Sequence, residues 1–176
     1  MSGSGLVILL TGDGKGKTTS SLGIALRAVG SGMRVMMIQF IKGPMATGEM
    51  QSIRRLAPDF ELRRFGAGFI YPQRGGPTPQ DIAMAREGFE FAREALASGE
   101  YQLVILDEIN SAIKVGLFAV QEVVDLVKNR KPEIHVVLTG RDAPQELVDL
   151  ADTVTEMKFI KHHYTSGRPA VPGIEY

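Results

Sequence analysis

The chain has 176 residues, of which 44% are apolar, enough for one domain with a sizeable core. Its 20 basic residues balance 20 acidic ones, so no whole-protein field gathers nucleic acid or an anionic membrane, and an anion must be caught locally. The absence of cysteine excludes disulfides, a thiolate nucleophile, iron–sulfur clusters and thiolate-bound zinc, which suits the cytoplasm as the expected location.

The leader "MSGSG", residues 1–5, carries no basic region and reads as a flexible tail. The apolar run Leu6 to Leu10 is too short for a signal-peptide core or a membrane span. From there short apolar runs alternate with helical patterns. Strands are expected at Leu6 to Thr11, Arg34 to Phe40, Phe60 to Phe65, Gln102 to Asp107, Ile134 to Thr139 and Thr153 to Ile160. Several are apolar throughout, as buried parallel strands are. Helices are expected at Lys17 to Ser31, Pro79 to Ser98, Ala119 to Arg130 and Pro144 to Ala151, with Thr78 as N-cap and Pro79 at the first position of the second. Two long loops, Ile41 to Glu49 and Gly66 to Pro77, are candidates for function. The eight methionines read as core filler.

The stretch "TGDGKGKTT" lies where the first strand meets the first helix. Glycines let backbone N–H groups curl around phosphate oxygens, and the helix N-terminus adds its positive dipole end. Gly12, Asp13, Gly14, Lys15 and Gly16 form this phosphate-binding loop. Lys17 neutralises phosphate charge, Thr18 offers a hydroxyl to Mg2+, and Thr19 adds a phosphate hydrogen bond. The loop is shortened: Gly12 and Gly16 enclose only Asp13, Gly14 and Lys15, and Thr11 stands where the usual first glycine belongs. Alternation and loop together predict an α/β fold of the P-loop NTPase (RecA-like) type, a mostly parallel sheet with helices on both faces, in a single domain spanning 1–176.

Two further strand ends carry polar groups. "LVILDE" delivers Asp107 and Glu108 to the edge where ligands sit in open parallel sheets. Asp107 is expected to hold magnesium directly or through water; Glu108 is expected to orient water, ligate metal or bind a ribose hydroxyl. "LTGRDAP" presents Arg141 at the same edge, suited to a bidentate phosphate contact or to a surface bridge with Asp142. In "FGAGFIYPQRGG", Phe69 and Tyr71 sit two apart, placed either to close over a flat ligand or to pin the loop. His162 and His163 fall on a basic tail and His135 starts a strand; none is assigned a metal. Residues 159–176 are expected to pack near the site. A hydrolysing ATPase, a small-molecule kinase and a nucleotide-dependent binding module would each use the same phosphate loop.

The ordered series "TGDGKGKTT", "RAVGSGMRV", "QFIKG" followed by "GE", "GAGF", "VILDE", "LTGR" and "LADTVTEM…KHHYTSGRPAVPGIEY" resembles the P-loop ATP:corrinoid adenosyltransferases from about Leu6 to the C-terminus. The resemblance implies transfer of the 5′-deoxyadenosyl group of ATP to the Co(I) of a corrinoid, cobalamin or a cobyrinic acid a,c-diamide type, with release of triphosphate. In that family ATP lies reversed and the loop cradles triphosphate as leaving group. Lys17, Arg141, the loop amides and Mg2+ would stabilise its charge. The resemblance places Phe69 and Tyr71 beneath the corrin ring, where they displace the lower axial ligand and ease reduction of Co(II); Tyr71 stands where the family usually has tryptophan. It places Glu108 near nucleotide and metal, and Arg27 near ATP. It further implies a homodimer and a flavin-type electron donor, with no nucleic acid or membrane partner. The N-terminal helix that helps cover the corrinoid in longer relatives is not expected in this sequence.

Overall fold

The computed structural model describes residues 4–43, 46–68, 70, 73 and 75–176. Six strands form one sheet in the order β3-β2-β4-β5-β1-β6, and every neighbouring pair runs parallel. In chain order the elements are β1 (Val7–Thr11), α1 (Lys17–Gly30), β2 (Val35–Phe40), α2 (Gly48–Arg54), β3 (Phe60–Phe65) and α3 (Pro79–Ser98). They continue with β4 (Leu103–Asp107), α4 (Ile109–Lys114), α5 (Val120–Lys128), β5 (His135–Thr139), α6 (Gln145–Leu150) and β6 (Thr153–Glu156).

Strands β2 and β4 are buried at every position, because helices cover both faces of the sheet there. Side chains alternate between two cores. Leu9, Met36, Ile38, Val104, Leu106, Val136 and Leu138 face α3, α4, α5 and α6. Leu10, Met37, Ile105 and Val137 face α1 and α2. Each fully buried aliphatic side chain contributes about 1.5–3 kcal/mol. Met36 and Met37 are fully buried, one on each face, as filler.

Helix α3 begins as its sequence predicts. Asp81 N–H donates to Thr78 Oγ1 (3.2 Å) and Thr78 N–H donates to Asp81 Oδ2 (2.9 Å), a reciprocal cap ahead of Pro79. Three features differ from expectation. Helices α2 and α4 stand where the sequence suggested only connecting chain. Strand β6 stops at Glu156 rather than Ile160, since its sole neighbour β1 ends at Thr11, its partner in the ladder. Gly5 is buried, its N–H donating to Pro132 O (2.6 Å) and its carbonyl accepting from Arg130 Nη2 (2.8 Å), so the end of the leader is pinned. Among the described residues no helix is long and apolar enough to cross a membrane.

Candidate active site

Strand order puts β1 between β5 and β6 and brings the C-terminal ends of β2, β4, β5 and β1 to one edge. The loop after β1 turns there into α1. Gly16, the residue ahead of the helix, has φ 124°, a conformation only glycine takes without strain. Lys17 opens the helix, is almost fully buried, and donates from Nζ to Gly12 O (2.6 Å) and Gly14 O (2.8 Å), so its ammonium sits at the centre of the loop. Burial pushes its pKa below the ordinary lysine value; Glu108 opposes that fall, and Arg141 adds to it.

The C-terminal segment crosses the loop. Met157 N–H donates to Thr11 O (2.7 Å) and Gly14 N–H donates to Met157 O (2.7 Å). A Cβ on Gly14 would stand 2.7 Å from the carbonyl oxygens of both Met157 and Lys158, so close approach requires glycine at this position. Farther along, Lys15 Nζ donates to Ile174 O (3.0 Å) and pairs with Glu175 Oε1 (2.9 Å). The hydrogen bond from Lys15 holds the Glu175 carboxyl below the usual range.

His162 and His163 approach Glu175 at 3.9 and 3.8 Å, and the three groups' donor atoms lie within 4.8 Å of one another. Tyr164 N–H donates to His162 Nδ1 (3.2 Å). That bond puts the proton of the neutral imidazole on Nε2, the nitrogen facing Glu175, which suits a contact with the carboxylate rather than with a cation. His135 Nδ1 accepts from Leu6 N–H (3.0 Å) and serves the strand end.

Asp107 ends β4 with no solvent exposure and four partners. Its Oδ1 accepts from Thr18 Oγ1 (3.0 Å) and Thr139 Oγ1 (2.7 Å); its Oδ2 accepts from Gln39 Nε2 (3.0 Å) and pairs with Lys42 Nζ (3.0 Å). The parallel register sets Gln39 beside Asp107. Arg64 in turn donates from Nε to Gln39 Oε1 (2.9 Å) and from Nη2 to Thr47 Oγ1 (2.7 Å), fixing the segment that carries Lys42. Glu108 takes φ 63°, donates its N–H to Thr139 Oγ1 (2.9 Å), and accepts from Ser111 Oγ at its carboxylate.

These groups enclose a cavity of about 700 Å³. Asp13, Gly14, Lys15, Gly16, Lys17, Thr18 and Thr19 line it, together with Lys42, Glu49, Ser52, Glu108 and the exposed Arg141. The tail closes another side with Phe159, His162, Tyr164, Glu175 and Tyr176. Gly12 underlies the loop through its bond to Lys17. Asp107 stands behind Thr18 and does not line the cavity, and Arg27 is exposed farther along α1, away from it. Phe69 and Tyr71 lie outside the described residues.

Sequence reading assigned no role to Gln39, Lys42, Arg64, Thr139 or Glu175. A signal existed for Gln39: a lone polar residue in an otherwise apolar, fully buried strand must have a partner.

The sequence matches the family described as ATP:corrinoid adenosyltransferase BtuR/CobO/CobP over residues 3–176. It is 42% identical to a corrinoid adenosyltransferase of Sinorhizobium sp, covering 98% of this chain and 80% of that protein. It is 38% identical to the corrinoid adenosyltransferase of Pseudomonas aeruginosa, covering 98% and 84%. A similar relative is the corrinoid adenosyltransferase CobA of Salmonella typhimurium, at 34% identity over 98% and 86%. In fold the chain is similar to the crystal structure of the RadB recombinase, with a TM-score of 0.55 and 18% identity over 89% of this chain and 76% of that one. That likeness bears on the fold alone, a RecA-like parallel sheet. Sequence and architecture agree: the chain belongs to the ATP:corrinoid adenosyltransferase family.

Proposed function

We propose that the protein transfers the 5′-deoxyadenosyl group of ATP to the Co(I) centre of a corrinoid and releases inorganic triphosphate. The cobalt of the substrate attacks C5′, the Co–C bond forms as the C5′–O bond breaks, and the electron pair leaves with the triphosphate. The observation that carries the reading is the phosphate loop with Lys17 at its centre, opening on a cavity of about 700 Å³ in a chain of this family.

The protein's task is then to hold the leaving group and aim C5′. Loop amides and the Lys17 ammonium bind the triphosphate, and Arg141 meets it from the end of β5; their attraction grows as charge develops on the departing oxygen. Lys17 gives up carbonyl contacts to do so, and a polyanion restores the stability of its charge that burial removes. The tail over the loop excludes water, which strengthens these interactions. The nucleophile belongs to the corrinoid, so positioning supplies most of the protein's share of catalysis.

Oxygen donors suited to Mg2+ are at hand: Thr18 and Glu108 line the cavity, while Asp107 orients the Thr18 hydroxyl from behind. Thr18 and Glu108 would hold the ion, which would supply positive charge to the triphosphate. By the family resemblance Phe69 and Tyr71 would meet the corrin ring from beneath, whereas Arg27, exposed farther along α1, stands away from the cavity and takes no part in this reading. The reading extends to a homodimer in the cytoplasm supplied with electrons by a flavin-type donor.

The test mixes protein, MgATP and chemically prereduced cob(I)alamin without oxygen and in dim light. Adenosylated corrinoid with intact triphosphate is expected. ADP or orthophosphate without corrinoid product would instead mark a kinase or a hydrolase.

A further inference from the structure

We propose that Lys42 is a phosphate-contacting residue of this site, a second ammonium that meets the triphosphate from outside the loop while Asp107 holds it in place. The assignment rests on the cavity being the triphosphate site.

Four observations carry it. Lys42 lines the cavity that the phosphate loop opens on. Its side chain keeps 21% exposure although its partner Asp107 keeps none, so the ammonium stands at the boundary between the buried network and the open space. Its one ion pair among the described residues is with Asp107 Oδ2 at 3.0 Å. An ammonium has three donors, so at least one is left for a ligand oxygen after Asp107 has taken its share. Finally, the placement is enforced: Ile41 just ahead takes φ 63°, and Arg64 ties Gln39, Gly43 and Thr47 around the lysine, at 2.9, 3.3 and 2.7 Å. A β-branched residue in that conformation is strained, and such strain persists where surrounding bonds hold it.

The other cations at the cavity differ from Lys42. Lys15 is engaged by Glu175 and Ile174 O, Lys17 by two loop carbonyls, and Arg141 is exposed. Asp107 already carries four contacts, two of them from Lys42 and Gln39 on one oxygen. Its carboxylate therefore anchors cationic and hydroxyl groups that reach the ligand, Lys42 on one side and Thr18 on the other. A lysine pinned in this way loses little freedom on meeting a phosphate, which favours binding.

Two roles must be separated, because a lysine that merely neutralised a buried carboxylate would show the same ion pair. Inorganic tripolyphosphate is the probe, titrated calorimetrically in the presence of EDTA so that no divalent ion contributes. Lys42→Met is expected to raise its dissociation constant roughly tenfold or more, the size of one lost charge-assisted contact. Lys42→Arg is expected to keep much of the affinity. The double variant Lys42→Met/Asp107→Asn removes both charges and with them the unpaired buried carboxylate; it is expected to stay as weak as Lys42→Met. Recovery of wild-type affinity in the double variant, or unchanged affinity in Lys42→Met, would overturn the proposal. Thermal unfolding of each variant verifies that a folded protein is being titrated. Adenosylation by the wild-type protein is scored separately, so that its failure would remove the transferase reading while leaving the tripolyphosphate result to judge Lys42.

Discussion

Lys15 and Glu175, 160 positions apart in the chain, meet at 2.9 Å, so the penultimate residue is fastened to the crest of the phosphate loop. The contact makes the loop and the tail one structure. It also gives the tail a defined dependence on acidity.

Glu175 has a folded pKa below its ordinary value, chiefly through the Lys15 hydrogen bond. A depressed carboxylate stabilises the folded tail fully above the unfolded value of about 4.3, and that contribution is lost as pH falls through the lower folded value. Lys15, His162 and His163 are the charged or titratable groups facing it. The protection of amides 163–176, taken relative to the intrinsic exchange rate at each pH, is therefore expected to fall in wild type as pH falls through that window. In Glu175→Gln it is expected to be low throughout. Equal profiles would remove the Lys15–Glu175 contact as the tail's fastening.

Gly14→Ala places a methyl group 2.7 Å from two carbonyl oxygens of the crossing segment. Backbone must move to admit it, at a cost of about 1–3 kcal/mol. A lowered midpoint of thermal unfolding is expected, together with weaker nucleotide binding. An unchanged midpoint would mean that the 157–158 segment is not packed on the loop.

Much of this geometry was legible in the residues. The apolar strand ending at Thr11, the glycines and Lys17-Thr18 specify strand, loop and helix together, because each favours the same local structure. Thr78 and Pro79 announced α3 in the same way. The short helices were not legible: α4 has six residues and starts from Glu108 at φ 63°, too brief for a 3.6-residue period and opened by an unusual conformation. Apolar residues Met157, Phe159 and Ile160 continue past Glu156 in sequence, but the end of β6 is set by where β1 stops, a property of the partner. Lys42 and Asp107 show the same limit, since a residue's role at a shared edge depends on strand order.

Lys17→Ala is expected to lower ATP-dependent turnover by roughly 10²–10³-fold, the scale of losing a main donor to a developing charge. Lys17 also predicts an alkaline limit. Burial lowers its pKa, so the ammonium is lost on raising pH before the ordinary lysine value of about 10.4 is reached. Tripolyphosphate affinity in wild type should decline over that range. Unchanged turnover in Lys17→Ala would contradict the role given to the loop.

Phe69→Ala separates reduction from transfer. Starting from Co(II) and a reductant, its rate is expected to fall far more than when chemically prereduced Co(I) is supplied. Equal losses under both conditions would remove Phe69 from the reduction step.

In the proposed reaction carbon 5′ moves and no phosphoryl group does. ATP labelled with carbon-13 at C5′, incubated anaerobically with Mg2+, cob(I)alamin and the protein, tests it directly by carbon NMR. A labelled carbon bonded to cobalt is expected, with one intact triphosphate for each corrinoid converted. Label found only in ADP or AMP, with the corrinoid unchanged, would contradict it.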